Sequence, residues 1–478
     1  MGKEPRGELK RDYFNDELTA HIGQEGKDYS LSESENAPFV VEYLDSKRSY
    51  LVDEDGNITG PLIAPEETEE PESGGQSFEM GYGVIEIKWL MGDTNFVSET
   101  ANAPVIKSDL PTGTTMKLVH YDESGNPVDG TDYDYNENKW ANAEVEIDGV
   151  KSYFVWIPRY AYRIVYFDTP DHQEAYRNGT STEGIVGYSD SRGIVDVDGR
   201  KVDGVTSTTS INVGDYFRVH PAFINDSPNY DNGGWSEELP GIWVGKYESS
   251  LVNKTKPDTA ITSGTNIIVD ETNNKDKAIA VKANMSSWRN CLIGNFFTSA
   301  KAYSTNLNSH MLKNSEWGAV AYLTESKYGR NGTEVTQNTN SSYLTANRDI
   351  VANANQSSTG NTTGIYDLSG GASEYVPAYY SESSSLSNGS SFADSSSDEF
   401  STAYTGTSAS PAYKPGDATY ETRLWHGDYA GFVISFNPFF IRGGFGNNTS
   451  TNAGVFYFYR NRGDISSDCG FRMCLAVK

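Results

Sequence analysis

Three cysteines, Cys291, Cys469 and Cys474, and six histidines are the residues from which a soft metal or redox centre would have to be built. No two cysteines stand at CxxC or zinc-finger spacing, and an odd number does not close a disulfide framework. The histidines form no HxxxH or HxH pair, so spacing speaks against a zinc site and a two-histidine iron centre. Oxygen ligands are more plentiful. Asp53, Asp55 and Asn57 sit close together, but Gly56 falls at the wrong offset for an EF-hand and no glutamate closes the loop. They read as a turn. The 225–232 loop offers further Asp and Asn oxygens, which leaves calcium open and assigns no residue to it. The stretch with the most binding chemistry is 437–478, NPFFIRGGFGNNTSTNAGVFYFYRNRGDISSDCGFRMCLAVK. Two frames, Arg442-Gly443-Gly444 and Gly470-Phe471-Arg472, bracket a tract of Asn, Ser, Thr, Tyr, Phe and Asp. Tyrosine supplies stiff amphipathic area, and Ser, Asn and Gly supply adaptable hydrogen bonds. The frames read as scaffold and the tract as a recognition face.

The elements that must position this face are mostly strands. Residues 39–44 and 49–52 read as a hairpin, followed by an acidic, Pro- and Gly-rich linker over 63–80. A small unit over 1–62 and a main domain over 81–478 follow from that boundary. In the main domain, 84–89 alternates as a strand and 153–164 reads as one dense aromatic strand with Pro158 at an edge or bulge. Short strands are expected at 220–223 and 241–248, and helices over 294–305 and 308–323, with Asn314 or Ser315 as a cap. Residues 330–362 and 381–410 read as long exposed loops, and 364–376 as a tight turn leading into a strand.

Hydrophobic residues make up 36% of the chain, with 31 Tyr and 20 Phe, which is enough for a sizeable core. Lys and Arg number 38 against 66 Asp and Glu, a formal charge of −28. Such a surface repels phosphate backbones and anionic lipid, so nucleic acid is excluded as a partner. No apolar run suits a signal peptide or a membrane helix. No membrane insertion is therefore expected of this sequence, and surface display would need an export segment outside it; otherwise the product is cytoplasmic.

Three segments resemble the formylglycine-generating enzyme family in order. NSEWGAVAYL from Asn314 is similar to its L-P-T-E-A-E-W-E-Y-A-A helix. TTGIYDLSGGASEYV from Thr362 is similar to G-L-Y-D-M-S-G-N-V-W-E-W-V. The RGG and GFR frames resemble its closing segment. The resemblance spans roughly residues 130–478 and implies an α+β, C-type-lectin-like fold, with a small N-terminal β-hairpin unit added. PFFIRGG…NAGVFYFYR…GFR further resembles the variable proteins of diversity-generating retroelements and related prophage and gut-bacterial surface proteins. WIPRYAYRI and PGIWVGKYE are similar to the same group, and the hairpin is similar to segments that follow a pilin-like helix. In those proteins adenine-directed mutagenesis rewrites asparagine codons near the C-terminus. Tyr457, Tyr459, Asn461, Asp464, Ile465, Ser466, Ser467, Asp468 and Cys469 belong to the residue set it produces.

The resemblance implies a non-catalytic ligand-binding or adhesion protein with a variable segment over 437–478. Its face would be Phe445, Tyr457, Tyr459, Asn461, Asp464, Ile465, Asp468 and Cys469, with Val455 and Phe456 in the core. The implied partner is a protein or glycan on another cell or surface, and the implied place is outside the cell, on a bacterial surface or on a phage virion. Neither a catalytic residue nor a cofactor is assigned. An oxidase of the formylglycine-generating type would need a thiolate pair between the frames, where only Cys469 stands. A structural pilus or phage-tail component would leave the aromatic tract unexplained.

Overall fold

In the computed structural model the described residues are 82–167, 169–182, 184–190, 193–196, 217–261, 266–393, 398–406, 414–446 and 452–477. For 185–190, 193–196 and five strands between 19 and 61 only the backbone is described. The chain divides into two units, 1–75 and 76–478. In the first, strands Thr19–His21, Asp28–Ser34, Ala37–Tyr43, Arg48–Val52 and Ile58–Pro61 each pair antiparallel with the next. The hairpin read in the sequence is the Ala37–Tyr43 and Arg48–Val52 pair, with Phe39 opposite Val52. The 63–80 linker lies outside the described residues.

The second unit is α+β, with many antiparallel pairs and few helices. A seven-stranded sheet orders Ser309–Met311, Met473–Leu475, Gly241–Gly245, Val150–Pro158, Asn142–Ile147, Thr114–Tyr121 and Pro127–Asp129. The dense aromatic stretch is two strands rather than one. Val150–Pro158 pairs with Gly241–Gly245, whereas Tyr160–Tyr166 joins a different sheet beside Gly83–Leu90. Pro158 has no N–H for the ladder, so the chain leaves the first sheet there. Arg159 secures the crossing from the interior: its Nε donates to the Thr94 carbonyl and its Nη1 to the Phe223 carbonyl, while Nη2 pairs with Glu238. The strand expected at 220–223 is a 3-10 turn, Pro221–Phe223, because His220 caps it through Nδ1 and the Ala222 amide.

Helices Ile293–Ala302 and Asn314–Glu325 fall where helices were expected, but the second starts later. Ser309–Met311 pairs with Met473–Leu475 as a strand, so the helix begins only after it. Neither Asn314 nor Ser315 caps it. The Glu316 carboxylate reaches back to accept from the Lys313 amide at 2.9 Å. All residues of this helix are buried, so it sits inside the domain instead of resting one stripe on a sheet.

The loops differ from expectation as well. Within 330–362, Val335, Asn338, Tyr343, Thr345 and Ala346 are buried. Asn338 donates to the Leu344 carbonyl and to Asp367, which gives its polar atoms partners inside. In 381–410, Phe392 is buried and Thr402–Tyr404 forms a strand parallel to Ser373–Tyr380. Composition predicts exposure for both stretches, and Thr333, Thr339, Ser341, Ser384, Ser387 and Ser390 are exposed, whereas Asn338 and Ser383 serve as internal hydrogen-bond partners.

Candidate functional site

The C-terminal tract is carried by a mixed sheet in which Ser373–Tyr380 pairs with Thr402–Tyr404, Phe439–Gly444 and Cys469–Phe471, and Phe439–Gly444 pairs with Ala453–Asn461. The frames are held from within. Arg472 is fully buried and forms a bidentate pair with Glu374; its Nη1 donates to the Gly245 carbonyl and its Nη2 to that of Tyr366. Arg442, also fully buried, lies over the rings of Trp317 and Phe458 and donates to the Ala418 carbonyl at 2.9 Å. Burial pulls its pKa down to about 10. The three motif segments thus meet in one interior.

Between Phe439–Gly444 and Ala453–Asn461 the register jumps. Arg442 faces Phe458, yet Gly443 faces Gly454. Residues 455–457 therefore bulge from the ladder, and Gly443 and Gly444 follow at φ +77° and +69°, where a side chain would be strained. The bulge is secured by two contacts. Trp317 Nε1 donates to the Val455 carbonyl at 2.8 Å, and the Phe456 amide donates to Asp428 at 2.9 Å. Val455 and Phe456 are buried, as read from the sequence.

This geometry opens a surface cavity of about 400 Å³. Of the expected face, Phe445, Tyr457, Tyr459, Asn461, Asp468 and Cys469 line it. Two of these are corrections as to exposure. Tyr457 is 5% exposed and Cys469 is 3% exposed, so they form the floor and not the accessible surface. The bulge turns Tyr457 inward, and Cys469 opens a strand paired with Ser373. Burial pushes the Tyr457 phenol well up and the Cys469 thiol up to about 11. Tyr459 and Asn461 are half-buried. Asn461 Oδ1 accepts from the Tyr375 hydroxyl at 2.8 Å, so part of its amide is already engaged.

Asp464 and Ile465 are exposed but lie outside the cavity lining, on the loop beside it. That loop is pinned. Tyr375 donates to the Asp464 carbonyl, Asn290 to the Ser466 carbonyl, and Tyr343 to the Asp468 carboxylate at 2.7 Å. Tyr429 and Arg460 also line the cavity and were missed in the sequence. Tyr429 is 47% exposed and meets Tyr459 edge-on at 5.5 Å. It precedes the RGG frame, so a search confined between the frames passes over it. The aromatic walls, a guanidinium, a carboxylate and an amide offer contact area and directed hydrogen bonds to a ligand.

Among the described residues, one group of three His, Cys, Asp or Glu side chains brings its ligand atoms within 4.8 Å: His310, Glu316 and Cys474, all buried. Sequence spacing hid it, since His310 and Cys474 meet only across a strand pair. His310 Nε2 lies 2.9 and 3.0 Å from the two Glu316 oxygens, and Nδ1 lies 2.7 Å from the Asn308 carbonyl. A tetrahedral zinc reaching each atom at its usual length would hold nitrogen and oxygen about 3.3 Å apart. The observed contacts are those of a direct hydrogen-bonded pair. In the 225–232 loop, Asp226 Oδ2 accepts from the Asn232 and Gly234 amides, as a turn does.

No family model matches the chain, and no curated protein matches it. Among the described residues no helix is long and apolar enough to cross a membrane.

Proposed function

We propose that this chain is a non-catalytic ligand-binding protein that presents a diversifiable recognition face on a C-type-lectin-like scaffold, in the manner of retroelement-diversified surface proteins. The observation that carries the reading is the contrast between frame and face. Arg442 and Arg472 are locked in the interior, while Phe445, Tyr459, Asn461 and Asp468 converge on one open cavity. Substitution at Phe445 or Tyr459, whose side chains hold no buried polar partner, leaves the buried network untouched, which is what a variable face requires; Asn461 and Asp468 are tied to Tyr375 and Tyr343. The ligand would be a protein or a glycan on another surface.

An oxidase of the formylglycine-generating type is the weaker reading. It needs a reactive thiolate pair, whereas Cys291, Cys469 and Cys474 are buried and unpaired. Burial raises all three thiols above their ordinary range. Two experiments test the proposal. Sequencing the neighbouring DNA should find a reverse-transcriptase gene and a near-copy of the codons for 437–478 that differs only at adenines. Screening the protein against surface proteins and glycans should give binders that Tyr459→Ala loses and Cys469→Ser keeps. Loss of a peptide-cysteine oxidase activity on Cys469→Ser would overturn it.

A further inference from the structure

A second cleft, of about 360 Å³, lies away from the C-terminal tract. Tyr121 and Tyr153 form an aromatic wall, with ring centroids 6.4 Å apart and nearly edge to face. Arg348 stands at this cleft on unusual backbone. Ala346, Asn347 and Arg348 have φ of +50°, +44° and +84°, three successive non-glycine residues in the left-handed region. Single residues visit that region in ordinary turns, and runs of them are disfavoured for L-amino acids. The surroundings impose the conformation. The Thr345 hydroxyl donates to the Lys282 carbonyl, the Ala346 amide to both oxygens of buried Asp367, and the Tyr366 hydroxyl to the Ile350 carbonyl.

What this fastening achieves is the placement of one cation. The Arg348 side chain is exposed and its guanidinium has no ion-pair or hydrogen-bond partner among the described residues. The other cation of the cleft, Lys282, is committed to Asp258 at 2.6 Å. Asp349 turns Oδ1 to the Val351 and Ala352 amides. Asp349 is the one carboxylate in the lining, and in a chain of formal charge −28 an anion is repelled over most of the surface, so a guanidinium without an ion-pair partner beside tyrosine rings is a selective feature.

We propose that this cleft binds a carboxylated sugar. The ring would stack on Tyr121 and Tyr153, and the carboxylate would pair with the planar fork of Arg348. A single guanidinium balances a singly charged carboxylate, whereas a phosphate or a polysulfated chain would call for further cations. This inference is independent of the C-terminal face.

Calorimetric titration of the full chain with sialyllactose, a glucuronate-terminated disaccharide and neutral lactose tests it. At least one acidic sugar should bind better than lactose. Arg348→Ala and Arg348→Gly should each weaken that binding by about tenfold or more. Arg348→Gly should also raise the melting temperature, because glycine accepts φ +84° without strain. Tyr459→Ala should leave sugar affinity unchanged. Equal affinity of wild type and Arg348→Gly would overturn the proposal, as would the failure of both acidic sugars to bind at millimolar concentration.

Discussion

Asp428 couples the bulge under the candidate site to pH. Its side chain is fully buried, and Oδ2 accepts the Phe456 amide that the bulge has removed from the ladder. Oδ1 has no hydrogen-bond partner among the described residues. Burial therefore raises the carboxyl from 3.8 to about 7, against the smaller pull of the Phe456 amide and His426. The folded state holds this proton more tightly than the unfolded chain. The stability tied to the neutral acid is thus complete below the unfolded value, and it is lost as pH rises through the folded one. A shift of about three pKa steps, at about 1.4 kcal/mol each, sets a ceiling of about 4 kcal/mol. Between about pH 5 and about pH 8 the expected loss is about 2 to 3 kcal/mol.

Asp428→Asn keeps the shape and the acceptor and removes the titration. His426 faces the same carboxyl, and its pairing with Glu325 lifts it to about 9, so it stays charged through most of this window. Glu334 and Arg442 are present in both proteins, so the difference between variant and parent reports Asp428 together with the loss of its pull on His426. Urea unfolding across this range should show the variant gaining on wild type by about 2 to 3 kcal/mol as pH rises. Curves that stay parallel within about 0.5 kcal/mol would refute the assignment of a buried, proton-holding carboxyl to this position.

Four further single substitutions and one compensating pair probe scaffold and face. Tyr459→Ala should leave unfolding nearly unchanged, whereas Tyr457→Ala should cost about 3 kcal/mol or more in chemical denaturation, because only Tyr457 fills a buried space. Gly318→Ala should lower thermal stability although it lies in a helix. Alanine would gain about 1 kcal/mol in propensity, but its Cβ would fall 1.8 Å from the Gly416 carbonyl oxygen, and backbone on both sides cannot yield cheaply. Arg472→Met should destabilise by about 3 to 5 kcal/mol at neutral pH, measured by urea unfolding, because it strands Glu374 without its partner. Arg472→Met together with Glu374→Leu should recover much of that loss.

The parts legible in the sequence were those whose structural role follows from residue type alone. Arg442 and Arg472 stand beside glycines in apolar stretches, where a guanidinium needs partners inside; Arg472 finds Glu374 and two carbonyls, whereas Arg442 finds one carbonyl and two ring faces and leaves Nε and Nη1 without a hydrogen-bond partner among the described residues. Strand Gly83–Leu90 and hairpin Ala37–Tyr43 to Arg48–Val52 follow from alternation and turn residues. What stayed hidden depended on register. Tyr457 and Tyr459 are two positions apart in one strand and identical in chemistry, yet the three-residue bulge buries the first and leaves the second half-open. The jump depends on two left-handed glycines and on an aspartate far outside the tract, and no local pattern encodes all three.

The loops are legible only in part, for the same physical reason. Asn and Ser composition predicts solvent-facing side chains, but Asn338 and Asp367 anchor the left-handed run at 346–348, and Tyr343 and Tyr375 pin the loop beside the cavity. Polar residues in this domain are structural wherever a second polar residue waits in the interior. The positions free to vary are therefore those whose side chains have no such appointment. By that criterion Ile465, exposed and apolar, and Tyr429, exposed against Tyr459, are freer to change than Asn461, whose amide is already held by Tyr375. A library randomised at Tyr429, Tyr459 and Ile465 should retain folded members more often than one randomised at Tyr457, Asn461 and Cys469. Protease resistance of the two pools measures the difference, and equal survival would mean that burial does not divide frame from face.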